Sequence, residues 1–197
     1  MTPLSGKRRG PDSEDLHMAR LAWVSFGLLA GCSTYLGTAQ EWDPRTAGRE
    51  FILVSGLSPI RQADSTGCGP AALAMVLRCH GDPIGDDALP ADDQGVTARA
   101  LRDLARRRGF KAHLIEGSIA DLEEHLRKGR PLIVGLVKPF VSGAKPHYEV
   151  VAGIDPVRRI IATLDPARGW TLNSVEGFLE EWAGSGRLLL IIAREQE

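Results

Sequence analysis

The reading of this chain turns on Gly67-Cys68-Gly69-Pro70-Ala71-Ala72-Leu73-Ala74-Met75-Val76-Leu77-Arg78-Cys79-His80-Gly81. Pro70 suits the first turn of a helix, the body is apolar, and Gly81 falls just past the last turn, so the spacing predicts a helix that opens at Cys68. The start of a helix presents unpaired N–H groups and the positive end of its dipole, which favour a thiolate, the nucleophilic form of cysteine. Gly67 and Gly69 leave room for another molecule to approach that sulfur. Cys79 stands at the opposite end, where the dipole disfavours an anion, and reads as a small packing residue. His80 beside it reads as a partner for the helix C-terminus.

Downstream, Thr97 opens a second helix with Leu101 and Leu104 inward and Gly109 as its stop. Ser118 opens a third, with Leu122 and Leu126 inward and Gly129 as its stop. Arg99, Arg102, Arg106, Arg107 and Arg108 fall mainly on the polar side of the second helix and read as a solvated face. After Pro131 the texture changes to short apolar or alternating runs, LIVGLVK, HYEVVAGI, RIIATL and RLLLIIA, separated by turn residues. Asn173 or Ser174 caps one further helix, VEGFLEEWA. Helices followed by a mostly antiparallel sheet define an α+β fold.

A thiol nucleophile needs a base, and His147 is the best placed candidate. His113 follows Lys111 in a short strand, His125 lies among charges on a helix face, and His17 is expected to leave with a leader. His147–Ile154 and Ile160–Leu164 read as a hairpin around Asp155, Pro156, Arg158 and Arg159. In such a hairpin, facing positions sum to about 314, which brings Asp165 to His147 and Glu149. A carboxylate there can fix the imidazole tautomer and stabilise the imidazolium; Asp165-Pro166 is also an ordinary turn signal. Glu149 reads either as a solvated charge, the more ordinary case, or as a second acid tuning the imidazole. Gln62, six residues before Cys68, can fold its amide back beside the helix start and join the Cys68 N–H as a donor to an oxyanion.

Three ordered motifs result: Q-x5-C-G-P-A-A from Gln62 to Ala72, H-Y-x-V-V-x-G from His147 to Gly153, and D-P at Asp165. Together they resemble the C39-like branch of the papain-like cysteine peptidases, the relatives of bacteriocin-processing double-glycine peptidases, over roughly Leu57 to Ala193. The resemblance implies a papain-like fold with N-terminal helices packed on the sheet. It implies Cys68 as nucleophile, His147 as general base and acid, Asp165 as orienting acid and Gln62 as oxyanion donor. The substrate would be a peptide or protein, cut through an acyl-enzyme. Two alternatives share these residues: an acyltransferase that resolves the intermediate with an amine or thiol, and an envelope protein that only binds peptides. The bacteriocin processors are usually fused to a transporter that has no counterpart here, so cleavage after a double glycine does not follow.

Upstream, Leu21–Gly31 (LAWVSFGLLAG) is free of charge and ends at Cys32. As a helix it would span about 16 Å against a hydrocarbon core of about 30 Å, the length of a signal-peptide core rather than a membrane span. Leu29-Ala30-Gly31-Cys32 resembles the bacterial lipobox, which implies lipidation of Cys32. The expected organisation is therefore a signal peptide over residues 1–31, with Met18 an alternative start, a lipidated Cys32 with a flexible tether over 32–50, and one domain over 51–197. Ser33 after the cysteine favours the outer membrane, facing the periplasm of a bacterial envelope. Lys7-Arg8-Arg9 lies too far from the apolar run for a twin-arginine signal.

Twenty-four basic against 25 acidic side chains give a net charge of -1, which shows no footprint for nucleic acid. Three cysteines are too few for a disulfide framework, and Cys68 and Cys79 would lie roughly 16 Å apart on one helix. No phosphate-binding glycine loop and no convincing metal-ligand spacing appear, so neither cofactor nor metal is expected.

Overall fold

The computed structural model describes residues 34–82 and 95–194. Cys32 and the residues expected to form a leader lie outside the described residues. Among the described residues, α1 (Cys68–Cys79), α2 (Ala98–Arg107), α3 (Ile119–Arg127) and α4 (Val175–Ala183) accompany eight strands. These are β1 (Gln40–Glu41), β2 (Ile52–Leu53), β3 (Phe110–Glu116), β4 (Leu132–Lys138), β5 (Lys145–Asp155), β6 (Ile160–Asp165), β7 (Gly169–Ser174) and β8 (Leu188–Arg194). The strands form one sheet in the order β1-β7-β6-β5-β4-β8-β3, with β2 also paired to β5. Every pairing is antiparallel. The α+β expectation holds. None of the described helices is long and apolar enough to cross a membrane.

The helices start where the capping chemistry places them. The Thr97 side chain accepts the Ala100 N–H, and Ser118 and Asp121 form a reciprocal capping box. Ser174, rather than Asn173, caps α4 by accepting the Gly177 N–H. Gly81, with φ at 79°, ends α1 in a conformation that a side chain disfavours.

The central strands are buried on both faces, so helices cover both. Ala72, Leu73, Val76 and Leu77 of α1 and Leu101 and Ala105 of α2 pack with Ile133, Val150, Leu164 and Leu190. Leu122 and Leu126 of α3 and Phe178 and Trp182 of α4 pack with Leu132, Val134, Val151 and Leu189. Odd and even positions of β4 thus serve different cores, as a period of two requires.

Register positions the candidate site residues. Near the open end of the β5–β6 hairpin, Val150 faces Leu164 and Val151 faces Thr163, which is the register expected from the sequence. A bulge between Val151 and Gly153 then shifts the pairing by one residue, so Ile154 faces Ile161. The irregularity lies toward the turn, and the end carrying His147 keeps its alignment.

One expectation fails: the stretch read as a flexible tether is docked from Thr34 onward. Tyr35 bridges Phe140, the Leu36 N–H donates to Pro139 O at 2.9 Å, and the Val141 N–H donates to Thr34 O at 3.0 Å. β1 pairs with β7, and Trp42 stacks on Phe51 with ring centroids 5.2 Å apart. The cause is twofold. β7 would otherwise offer an open sheet edge, and Tyr35 and Trp42 supply apolar surface to a stretch whose composition is otherwise polar.

Candidate active site

Cys68 is the first residue of α1, with Gly67 as its cap, and it is buried. Gly69 allows the helix start to press against β5. A Cβ at that position would meet Tyr148 Cδ2 at 3.2 Å and Leu101 Cδ1 at 3.4 Å. That approach brings the thiol against His147 and within reach of the Tyr148 and Gly69 N–H groups. His147 Nε2 lies 2.8 Å from Asp165 Oδ1, which leaves Nδ1 for the sulfur. Asp165, buried at the end of β6, also accepts the Ala167 N–H at 2.7 Å. It is therefore both a turn former and the carboxylate behind the imidazole.

These contacts set the charges. Burial pushes the Cys68 thiol up, but the His147 hydrogen bond and charge, aided by Tyr148 and Gly69 N–H groups, bring it below its ordinary value. Burial disfavours the His147 cation, yet the hydrogen bonds to Asp165 and Cys68, and the charges of Asp165 and Glu149, raise its pKa to about 10. Burial likewise opposes the Asp165 anion, and the bond to His147 overcomes it, giving a pKa of about 2. At neutral pH the arrangement favours a thiolate facing an imidazolium, a pair that titrates as a unit.

Gln62 sits where its spacing placed it, with its Cβ close to Gly67. Its backbone N–H donates to Pro166 O at 3.1 Å, and the Arg61 guanidinium donates to Ala167 O at 2.5 Å. The loop before Cys68 is thereby tied to the turn that carries Asp165. The Gln62 amide itself points within its own loop, where Nε2 donates to Asp64 O at 2.6 Å. Of the remaining histidines, His113 is exposed and His125 is partly so, and neither joins this cluster. Cys79 sits at the far end of α1 with Sγ 3.5 Å from Ser55 O and packs against the second core.

Glu149 departs from the more ordinary reading. Only 1% exposed, its carboxylate meets Lys138 Nζ at 2.6 Å, and Lys138 also meets Glu181 at 3.1 Å. Single charges within the apolar runs LIVGLVK and HYEVV were the available signal, because an isolated charge in a buried strand requires a partner. The Tyr148 N–H contact left no such signal, being a backbone property. Ligand atoms of His147, Glu149 and Asp165 lie within 4.8 Å of one another, a spacing that could hold a metal ion. Lys138 already supplies the cation facing Glu149, and Asp165 is bonded to His147. The donor set is thus committed to ion pairs.

A helix-borne thiol paired with a strand-borne imidazole and carboxylate is the arrangement that a cysteine nucleophile with its base and orienting acid requires. The Peptidase C39 family model matches residues 57–197, and the chain belongs to that family of cysteine peptidases. The fold is similar to the peptidase domain of Streptococcus ComA, a bifunctional ABC transporter involved in quorum sensing. That match has 27% identity and a TM-score of 0.57, covering 69% of this chain and 97% of that one. It also resembles a double glycine motif protease from an AMS/PCAT transporter in complex with its leader peptide, at 22% identity and a TM-score of 0.55, covering 70% and 91%. A C39-like peptidase from Bacillus anthracis aligns at 18% identity and a TM-score of 0.59, covering 74% and 98%. No curated protein matches the chain.

Proposed function

We propose that this peptidase cleaves a peptide or amide bond through an acyl-enzyme on Cys68, with His147 and Asp165 as its partners. The observation that carries the reading is the unbroken chain from the Cys68 thiol through the His147 ring to Asp165. The thiolate attacks the scissile carbonyl carbon, and the oxygen takes up the negative charge as the C–S bond forms. The Cys68 N–H and the Gln62 amide, once turned from Asp64, stabilise that oxyanion. Collapse breaks the C–N bond, and the departing amine takes the proton from His147. Water then attacks the thioester while His147 accepts its proton, and the thiolate is released. Asp165 keeps the ring oriented and its charge favourable throughout.

The substrate is a peptide or protein, a reading supported by the family and by the leader peptide held by the transporter protease. We place the enzyme at a bacterial envelope, attached by a lipid on Cys32 and facing the periplasm from the outer membrane. That placement rests on the apolar run before Cys32. Mass spectrometry after exposure to a thiol-directed peptide probe tests the chemistry: the adduct is expected on Cys68, and Cys68→Ala is expected to lose both adduct and proteolysis. An unreactive Cys68 in the folded protein would sink the reading. A lipid-sized mass on Cys32, lost in Cys32→Ser, tests the anchor separately.

A further inference from the structure

Behind His147 lies a buried ionic cluster that the catalytic reading does not use. Lys138, at the end of β4, is enclosed by Glu149 of β5 and Glu181 of α4, all three almost without solvent contact. Tyr35, in the strap formed by residues 34–41, donates its hydroxyl to Glu181. The ring of Tyr35 lies 5.1 Å from Lys138 Nζ on one side and 4.9 Å from the Arg168 guanidinium on another.

The strap is fitted to this cluster. A Cβ at Gly37 would overlap the Tyr35 hydroxyl and the Glu181 carboxylate, and one at Gly177 would overlap Thr38. Arg168 also donates to Ala39 O at 3.2 Å, and Thr38 donates to Asn173 Oδ1. The strap precedes the family-matched residues, which begin at 57. It therefore lies outside the segment that the family model matches.

The charges explain why the strap matters to His147. Glu149 and Asp165 are two buried carboxylates within 4.8 Å of the imidazole and of each other. Buried carboxylates this close each need a partner, and Lys138 lies against Glu149 as His147 does against Asp165. Lys138 also faces Glu181, and the Tyr35 hydroxyl holds Glu181 in place with a neutral donor. The groups around Glu149 are thus His147 on its own strand, Lys138, Asp165 and Glu181 on neighbouring elements, and Tyr35 and Arg168 behind them.

We propose that Glu149, held by Lys138 and braced through Glu181 by Tyr35, is a positioning residue for His147, so that docking of the strap completes the active site. This inference rests on the reading of Cys68 and His147 as a reactive pair. It differs from a purely structural role in one respect: removing the Glu149 charge must change the titration of His147, not only the stability of the fold.

Alkylation of the full-length protein by iodoacetate tests it, with peptide-resolved mass spectrometry reading Cys68 alone. The reagent is an anion drawn by the imidazolium, so its rate falls as His147 loses its proton. In Glu149→Gln the alkaline limb is expected to move down by about one pH unit, the residual effect of a charge partly answered by Lys138. Glu149→Asp should restore most of that shift. Tyr35→Phe should move the limb in the same direction by less, because a released Glu181 leaves Lys138 to neutralise Glu149 alone. Thermal melting of each variant reports whether it folds, and Tyr35→Phe decides the matter if Glu149→Gln does not. Limbs superimposed on the wild type in folded Glu149→Gln and Tyr35→Phe, with Cys68 still labelled, would overturn the inference. Failure of Cys68 to react in the wild type would instead remove the catalytic reading beneath it.

Discussion

Cys68 and Cys79 open and close the same 12-residue helix, and their surroundings differ in nearly every respect that matters to a thiol. At the N-terminal end the sulfur meets an imidazole and two backbone N–H groups. At the C-terminal end it meets the Ser55 carbonyl and an apolar core. The same side chain becomes a nucleophile candidate in one place and a packing residue in the other. What separates them is the direction of the backbone dipoles and which strand lies alongside.

Exchanging the cysteines for alanine one at a time separates the two helix ends most strongly. Cys68→Ala should lower kcat/KM by at least about a thousandfold, whereas Cys79→Ala should leave turnover unchanged and lower stability by about 1 kcal/mol. Peptide hydrolysis and denaturant melts measure the two effects. Equal losses from both would erase the distinction between the helix ends. Asp165→Asn tests what stands behind the reactive end. It should reduce kcat by about a hundredfold or more, because the imidazole loses the anion that raises its pKa.

Labelling against pH separates the ends more gently. At pH 6, Cys68 should react with iodoacetate about 10 to 100 times faster than Cys79, since its thiol is held below the ordinary value. Its rate should fall again as His147 deprotonates near pH 10. The same group contributes to stability below its unfolded pKa of about 6.5, and that contribution is lost as pH rises through about 10. Asp165 works in the opposite sense: its contribution is present above about 3.9 and is lost as pH falls through about 2.

Gln62→Ala should lower kcat by about tenfold to a hundredfold with little change in KM, in keeping with a donor used in the transition state. No loss would leave its amide to the Asp64 contact that it makes in this structure. The smallest effect is expected for Gly69→Ala. The added methyl would press on Tyr148 and Leu101, displacing the helix start by a few tenths of an ångström and lowering kcat a few-fold.

The elements that were legible share one property: their signals are local. Thr97, Ser118 and Ser174 cap helices through bonds to residues three positions on, and Pro70 and Gly81 bracket α1. The pairing of His147 with Asp165 was legible because a hairpin converts sequence distance into register, and the bulge that spoils this register lies beyond the site. Tyr35 and Glu149 were not legible in the same way. Their partners, Glu181 and Lys138, come from elements far off in sequence, and no periodicity connects them.

Local sequence thus set the α+β layout and the meeting of Cys68, His147 and Asp165, because helix caps, strand alternation and hairpin register are short-range consequences of side-chain chemistry. Only the tertiary structure decided that the Gln62 amide turns toward Asp64, that Tyr148 lends its N–H to the thiol, and that residues expected to form a tether instead strap the domain. It also buried Glu149 against Lys138. These outcomes depend on which distant surfaces meet and exclude water, since burial is what compels a charge to find its partner.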